Sequence, residues 1–234
     1  MESVQAKVSR IRDLTHDVRE LELSLYEPKD ISFKAGQFIS FDISKEGYPY
    51  PVTRPYSIAS PSSTSDRVLL LFNLVPGGPG STYLFNLREG DPVRFKGPAG
   101  SFTLREDPTK RMLFVATGTG IAPFRSMILS HLEGDGTRPL ILFWGVRSER
   151  DLYYQDEFQD LADRYPQFSF VMTLSQPGPE WTGVRGRVSS LVQERVTSVR
   201  DLAVYLCGNG NMIKDVTAYI QTKGLCPIYR EKYY

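Results

Sequence analysis

Cysteine is scarce in this 234-residue chain: only Cys207 and Cys226 occur. Two thiols cannot supply the four ligands of an iron–sulfur cluster or of a closed Cys-rich zinc site, so no ferredoxin-type cluster is expected within this sequence. Histidine is equally scarce, with His16 and His131 isolated from one another, and no metal site is expected. Excess charge of one sign is also missing: 28 Lys plus Arg against 27 Asp plus Glu leave a formal charge of +1. The bulk positive charge of most nucleic-acid binders is absent, and no nucleic-acid partner is expected. No apolar run approaches the roughly 20 residues that span a bilayer. The opening MESVQAKVSR alternates polar and apolar residues without a signal-peptide core. The expectation is a cytoplasmic protein with reduced thiols. What is present is ordinary for a globular chain, with 41% hydrophobic and 24% charged residues. That is enough to bury a core without disulfides or a structural metal.

The pattern changes character near residue 107. Before it, short β-rich runs alternate with turn signals: Val4–Val8, Val18–Leu23, Phe38–Ile43, Arg54–Ala59 and Val68–Val75 read as strands, and Thr82–Leu87 as a short helix. Closely spaced short strands of this kind predict a small antiparallel barrel or sandwich. After the polar, Pro-containing stretch Arg105–Lys110, β and α segments alternate. Met112–Ala116, Leu140–Trp144, Phe168–Leu174 and Leu202–Leu206 read as strands. Pro123–Leu132, Gln155–Arg164 and Met212–Lys223 read as helices. This predicts a parallel sheet with helices on both faces. The expected fold class is therefore two-domain β + α/β, an antiparallel β-barrel over residues 1–107 and a Rossmann-like parallel-sheet domain over 108–234.

Two segments carry chemistry. In Met112–Pro123 an apolar strand runs into Gly118-Thr119-Gly120-Ile121 and then a helix. Glycines let backbone approach a pyrophosphate closely, and the helix start offers free N–H groups and the positive dipole end. Pro123 suits the first helical turn, although it stands where a full G-x-G-x-x-G has its third glycine. The plainer reading is a tight βα turn without a ligand. The second segment is Arg54-Pro55-Tyr56-Ser57. On a strand, Arg54 and Tyr56 share one face, a fork for phosphate beside a flat ring for stacking, and Ser57 faces the other way. It is followed by a second Gly-rich loop, Val75–Thr82, feeding a second helix start with Ser81 or Thr82 as cap. One phosphate cradle per domain suggests two nucleotides.

The chain resembles the ferredoxin–NADP reductase superfamily along nearly its whole length. Arg54-Pro55-Tyr56-Ser57 is similar to the flavin signature R-x-Y-S. Gly78-Pro79-Gly80-Ser81 resembles the flavin pyrophosphate loop, and Gly97–Phe102 the G-P-x-G-x-F turn. Gly118–Pro123 resembles the nicotinamide-nucleotide loop. Trp144-Gly145-Val146-Arg147 followed by Asp151-Leu152-Tyr153-Tyr154 resembles the W-G-x-R…D-L-x-Y stretch of the bacterial oxygenase-reductase branch, and Cys207–Met212 the C-G-x-x-x-M loop. The resemblance implies FAD on the β domain and NADH or NADPH on the α/β domain, with hydride passing from nicotinamide C4 to flavin N5. It assigns Arg54 to the FAD pyrophosphate, Tyr56 to stacking on the isoalloxazine, and Ser57 to its N5/O4 edge, with Pro55 among the cofactor-binding residues. Asn73, Leu74 and Val75 are assigned to the ribityl side, and Gly80, Ser81 and Thr82 to the phosphates. Gly118, Gly120, Ile121, Pro123, Arg147, Ser175, Gly208, Asn211 and Met212 fall to the nicotinamide nucleotide, and Thr119 lies near both rings. Cys207 is assigned to nicotinamide C4. The ending Glu231-Lys232-Tyr233 matches the plant-type E-x-Y, which puts Glu231 in a proton path and Tyr233 over the flavin, with Tyr234 as rival.

The function implied is an FAD-dependent NAD(P)H oxidoreductase that passes electrons to a separate redox partner, a ferredoxin, a cytochrome or an oxygenase component. Reduction of free flavin or quinone is the alternative enzyme, and a nucleotide-binding regulatory module the non-enzymatic one. NADH is favoured over NADPH, because Ser175 is followed by Gln176-Pro177 rather than an arginine. Arg185 or Arg187 is the fallback for a 2′-phosphate. His16, His131 and Trp181 are read as packing or surface residues. Oligomeric state has no signal in the sequence.

Overall fold

The computed structural model describes residues 3–44, 49–105, 111–134 and 136–233. The expected division at 107/108 and Tyr234 lie outside the described residues. The chain forms two compact units, Met1–Leu104 with Ala122–Ser130, and Arg105–Ile121 with His131–Tyr234.

The first unit contains β1 (Ser3–Asp13), β2 (Val18–Glu27), β3 (Phe38–Ile43), β4 (Val52–Ser57), β5 (Arg67–Asn73), helix α1 (Pro79–Asn86) and β6 (Pro92–Ala99). The strands pair antiparallel in the order β4-β3-β6-β1-β2-β5. An antiparallel bridge from Ile58 to Leu70 joins the two ends into a barrel. Alternation sets the inner face: Val4, Ala6 and Val8 of β1 and Val93 and Phe95 of β6 are buried, while Lys7, Arg94 and Lys96 face outward. Phe41 lies in this core, 5.9 Å from the Tyr56 ring at 69° and 6.2 Å from Phe95 at 60°. Edge-on aromatic contacts of this kind fix ring orientation as well as bury area. Residues Ala122–Ser130 group here because their side chains bond here: Arg125 donates to the Ala59 carbonyl at 2.8 Å, and Ser130 Oγ accepts from the Ser62 amide at 2.8 Å.

The second unit is a parallel sheet of β7 (Arg111–Thr117), β8 (Leu140–Val146), β9 (Phe168–Leu174), β10 (Val184–Arg185), β11 (Leu202–Gly208) and β12 (Ile228–Lys232), in the order β10-β9-β8-β7-β11-β12. Its helices are α3 (Gln155–Arg164), α4 (Val188–Arg195) and α5 (Gly210–Thr222); α2 (Ile121–Glu133) starts and ends in this unit, while its residues Ala122–Ser130 group with the first. All seven residues of β11 are buried, which accounts for its continuous apolar run. Leu113, Val115, Val204 and Leu206 pack on one side against α4 and α5. Trp144 packs on the other against Phe158 of α3. Strand order reverses between β7 and β11, the switch point at which open parallel sheets bind ligands beyond their strand ends. The parallel sheet with helices on both faces is as expected. β6, β10, α4 and β12 are additions that the sequence reading did not place. Among the described residues no helix is long and apolar enough to cross a membrane.

Because Phe41 both fills the barrel and holds Tyr56, Phe41→Ala should lower unfolding free energy by about 3–5 kcal/mol. The shift of the urea midpoint at constant slope measures it.

Candidate functional site

In the first unit the functional face is built by β4 and α1. Register pairs Phe41 with Arg54 and Ile39 with Tyr56, so Arg54 and Tyr56 emerge on one face. Tyr56 is held edge-on by Phe41 and by Phe72 at 5.6 Å and 71°. Pro55 stands between them on the exposed side, and Ser57 is buried at the strand end. The first turn of α1 sits directly against this pair. A Cβ on Gly80 would collide with the Tyr56 hydroxyl and lie 2.9 Å from Arg54 Cγ, so only glycine fits.

The helix start corrects the expected capping. The N-cap is Gly78, with Pro79 in the first turn, rather than Ser81 or Thr82. Pro79 begins the helix early, and the Thr82 amide already donates to the Gly78 carbonyl at 3.0 Å. The Ser81 hydroxyl instead closes the preceding loop, accepting from the Val75 amide at 3.0 Å. The amides of Gly80 and Ser81 precede the first intrahelical bond, which leaves them as donors for an anion. Asn73 ends β5. The Leu74 amide donates to the Asp17 carbonyl at 2.7 Å, so contacts from Leu74 and Val75 to a ligand fall to their carbonyls and side chains.

In the second unit the turn Gly118–Gly120 joins β7 to α2, and Ile121 and Pro123 are buried at the helix start. Gly120 presses on β11: a Cβ there would lie 2.6 Å from the Cys207 carbonyl oxygen and 2.8 Å from Gly208 Cα. Thr119 is buried beside it. Three residues without an assigned role brace this edge. Thr117 Oγ1 accepts from the Asn209 amide at 2.9 Å. Asn209 Oδ1 caps α5 by accepting from the Asn211 amide at 2.9 Å and the Met212 amide at 3.4 Å. The Trp144 indole donates to the Gly118 carbonyl at 3.0 Å. The Met212 side chain lies in the core cluster.

Cys207, Glu231 and Tyr233 are brought together by the pairing of β11 with β12. Cys207 is the register partner of Glu231, and the Tyr233 amide donates to the Gly208 carbonyl at 3.0 Å. Burial pushes the Cys207 thiol well above its ordinary range, and the Glu231 carboxylate adds to the rise. A hydrogen bond with the Tyr233 side chain opposes it without reversing it. Cys207 is a neutral thiol at pH 7.

At the ends of β8 and β9, the Ser175 amide donates to the Val146 carbonyl at 3.1 Å and the Gln176 amide to the Arg147 carbonyl at 2.7 Å, leaving the Arg147 side chain exposed. Arg185, expected to hold a phosphate or be solvated, is exposed, with its Nη2 turned onto its own loop. That nitrogen donates to the carbonyls of Gly178, Pro179 and Trp181 at 3.1, 3.0 and 2.6 Å. Glu149 approaches the same loop and accepts from the Gly178 amide at 2.8 Å. The Trp181 indole donates to the Val184 carbonyl at 3.0 Å, a packing role. His131 sits against the Arg138 carbonyl at 2.9 Å.

Residues 5–104 match the oxidoreductase FAD-binding domain, and residues 114–218 the oxidoreductase NAD-binding domain. Ferredoxin–NADP reductase B of Sorangium cellulosum (strain So ce56) is 36% identical over 218 residues, covering 91% of this chain and 88% of that protein. The chain belongs to the ferredoxin–NADP reductase superfamily. The ferredoxin–NAD(P)(+) reductase component of the naphthalene 1,2-dioxygenase/salicylate 5-hydroxylase systems of Ralstonia sp is 34% identical over 235 residues, covering 99% of this chain and 69% of that one. The crystal structure of Amycolatopsis cytochrome P450 reductase GcoB superposes with a TM-score of 0.88 at 29% identity, covering 99% of this chain and 69% of its own. The protein is an FAD-dependent NAD(P)H oxidoreductase. Gly80 and Gly120 let each turn pack closely on its neighbouring strand, and the amides ahead of the first intrahelical bond of α1 are the donors that fit a phosphate.

Two outcomes are expected. Gly120→Ala forces backbone apart, and an overpacking cost of about 1–3 kcal/mol should weaken ADP-ribose binding about ten- to hundredfold by calorimetry. Thiol labelling should modify the half-buried Cys226 in the native state and leave Cys207 untouched until unfolding. The unfolded Cys207 thiol ionises near its ordinary 9.0 while the folded one keeps its proton. The unfolded state therefore binds fewer protons above that pH, and stability should fall as pH rises through it. Cys207→Ala should remove that part of the decline in an equilibrium-unfolding pH series.

Proposed function

We propose that this protein takes hydride from NADH onto FAD and passes electrons to a separate acceptor protein, a ferredoxin or an oxygenase component. The observation that carries the reading is the contact of Gly120 with Cys207, which puts the residue assigned to the nicotinamide against the phosphate-binding turn. The printed names of the similar reductase components support the acceptor class.

FAD would be held by the N-terminal β region and the nicotinamide nucleotide by the C-terminal α/β region, the division taken at residues 107/108. Bound FAD supplies a two-electron acceptor for hydride. Arg54 would offset the diphosphate charge, with the amides of Gly80 and Ser81 completing the anion site and Thr82 beside them. The braced Tyr56 ring offers a flat platform, and buried Ser57 a hydroxyl for the polar edge of the flavin. Asn73, Leu74 and Val75 would follow the ribityl chain. Cys207, neutral at pH 7, places a compact polarizable group beside the nicotinamide without adding charge. Glu231 and Tyr233 hold it, and Glu231 is the assigned proton carrier. Arg147 and Ser175 would meet the adenosine half.

NADH is favoured because Arg185 is engaged by three carbonyls, while Glu149 brings a carboxylate to the loop after Ser175. A 2′-phosphate would meet that carboxylate there, with Arg187 left as the fallback cation.

Anaerobic stopped-flow reduction tests the reading. NADH should reduce the flavin with kcat/KM at least about tenfold above NADPH, a difference of 1.4 kcal/mol. The reverse preference removes the NADH assignment, and the absence of flavin reduction by either nucleotide removes the function. Cys207→Ala should lower kcat and kcat/KM together with flavin content intact, the mark of a group that acts on the transition state. An unchanged rate at saturating nucleotide returns Cys207 to a packing role.

A further inference from the structure

We propose that Trp144 is a positioning residue that locks the Gly118–Thr119 peptide with its carbonyl turned inward, so that N–H groups line the face presented to the dinucleotide diphosphate. The inference rests on the dinucleotide reading of this turn and concerns a residue outside the assigned contacts.

Gly118 adopts φ +50°, and a Cβ there would meet nothing within 4 Å. Glycine is needed for its backbone conformation rather than for lack of space. The same freedom leaves the following peptide unit cheap to rotate. Rotation would matter, because an outward carbonyl would set its oxygen lone pairs against phosphate oxygens and turn an attractive dipole into a repulsive one. The Gly118 oxygen is held from two directions. Within the turn it accepts from the Ile121 amide. Across the sheet it accepts from Trp144 Nε1 at 3.0 Å. The second bond is the stronger constraint, since its donor belongs to another strand and cannot rotate with the turn.

The donor itself is rigid. Trp144 is fully buried, with the Tyr153 ring 4.8 Å away at 76° and the Phe158 ring 5.9 Å away at 83°. Parallel register pairs Ala116 with Trp144 and Thr117 with Gly145, which aims the indole at the residue where β7 ends. An indole is suited to this position because it fills an apolar pocket and still offers one donor with no acceptor. Phenylalanine fills nearly the same space without the donor.

Trp144→Phe, prepared as the FAD-loaded enzyme, tests the lock. Losing one neutral hydrogen bond should raise both the Kd for ADP-ribose and the KM for NADH about three- to tenfold. Saturated kcat and flavin content should stay within about twofold of wild type. Phe168→Leu disturbs the outer end of the same cluster, 6.2 Å from the Phe158 ring, and leaves both rings beside the donor in place. It should lower Tm and leave the ADP-ribose Kd unchanged. A Trp181→Phe background leaves Trp144 as the sole indole. Its N–H resonance should be slow to exchange and should shift when ADP-ribose is added, whether or not Trp144→Phe folds. An unchanged Kd in Trp144→Phe, an equal rise in Phe168→Leu, or an indole resonance indifferent to ADP-ribose overturns the proposal. Wild-type protein that fails to bind ADP-ribose overturns instead the dinucleotide reading of the turn.

Discussion

The contact between the Gly120 backbone and the Cys207 carbonyl leaves no room for a side-chain carbon, and the nucleotide edge of the second unit is arranged around it. Six parallel strands deliver their C-terminal ends to one edge, so the turns that follow compete for the same space. Glycine at 120 resolves that competition by letting the turn after β7 settle against β11. The remaining bonds then follow in order. Thr117 can reach the Asn209 amide, Asn209 can turn its carboxamide onto α5, and α5 starts with its first donors satisfied. Cys207 is buried on the same strand, and that burial, with the Glu231 carboxylate, raises its pKa and keeps it a thiol.

The loop Val75–Ser81, proposed for the FAD diphosphate, is built on a different principle. Its closing bonds run between residues a few positions apart: Gly78 amide to Val75 carbonyl at 2.8 Å, and Val75 amide to Ser81 Oγ at 3.0 Å. A loop tied within itself has little closure entropy to overcome and can keep its form while its surroundings relax. Its one distant requirement is that β4 bring Arg54 and Tyr56 against Gly80, which the barrel core secures through Phe41 and Phe72. The nucleotide turn is held by partners 26 and 92 positions away in sequence. Its shape therefore depends on the whole parallel sheet being formed.

That difference governs what was legible in the sequence. Phe38–Ile43, Phe168–Leu174 and Gln155–Arg164 coincide with β3, β9 and α3 because their periodicity and turn signals are local. β6 alternates Val93 and Phe95 against Arg94 and Lys96, yet it runs into Gly97-Pro98, which reads as a turn. α4 has eight residues with a single short apolar face, and β12 carries three charges in five positions, so neither reaches a recognisable period. Their identity is set by what they pack on. The cap of α1 was misplaced because Ser and Thr are the stronger statistical caps, whereas Pro79 moved the helix start forward. The Trp144 bond left no trace at all, since nothing in a strand pattern says which carbonyl a buried indole will find.

Charge is the clearest case of a property that the sequence lists and the fold reassigns. Arg185 reads as an available cation between two glycines, and Ser175-Gln176-Pro177 reads as a segment without acidic residues. Folding reverses both. Three carbonyls draw the Arg185 guanidinium into its own loop, and the turn after β8 carries the Glu149 carboxylate onto the Gly178 amide. The carboxylate is favoured there for a local reason, because it satisfies a backbone donor that the tight loop leaves unpaired. The arginine is favoured for the complementary one, three carbonyl oxygens that the same loop turns toward a single point. Both charges are thus placed by the needs of an irregular backbone segment. The loop therefore presents the Glu149 carboxylate, which its own sequence does not contain, and turns one guanidinium nitrogen inward, and a discrimination against a 2′-phosphate would arise from how the loop closes its hydrogen bonds.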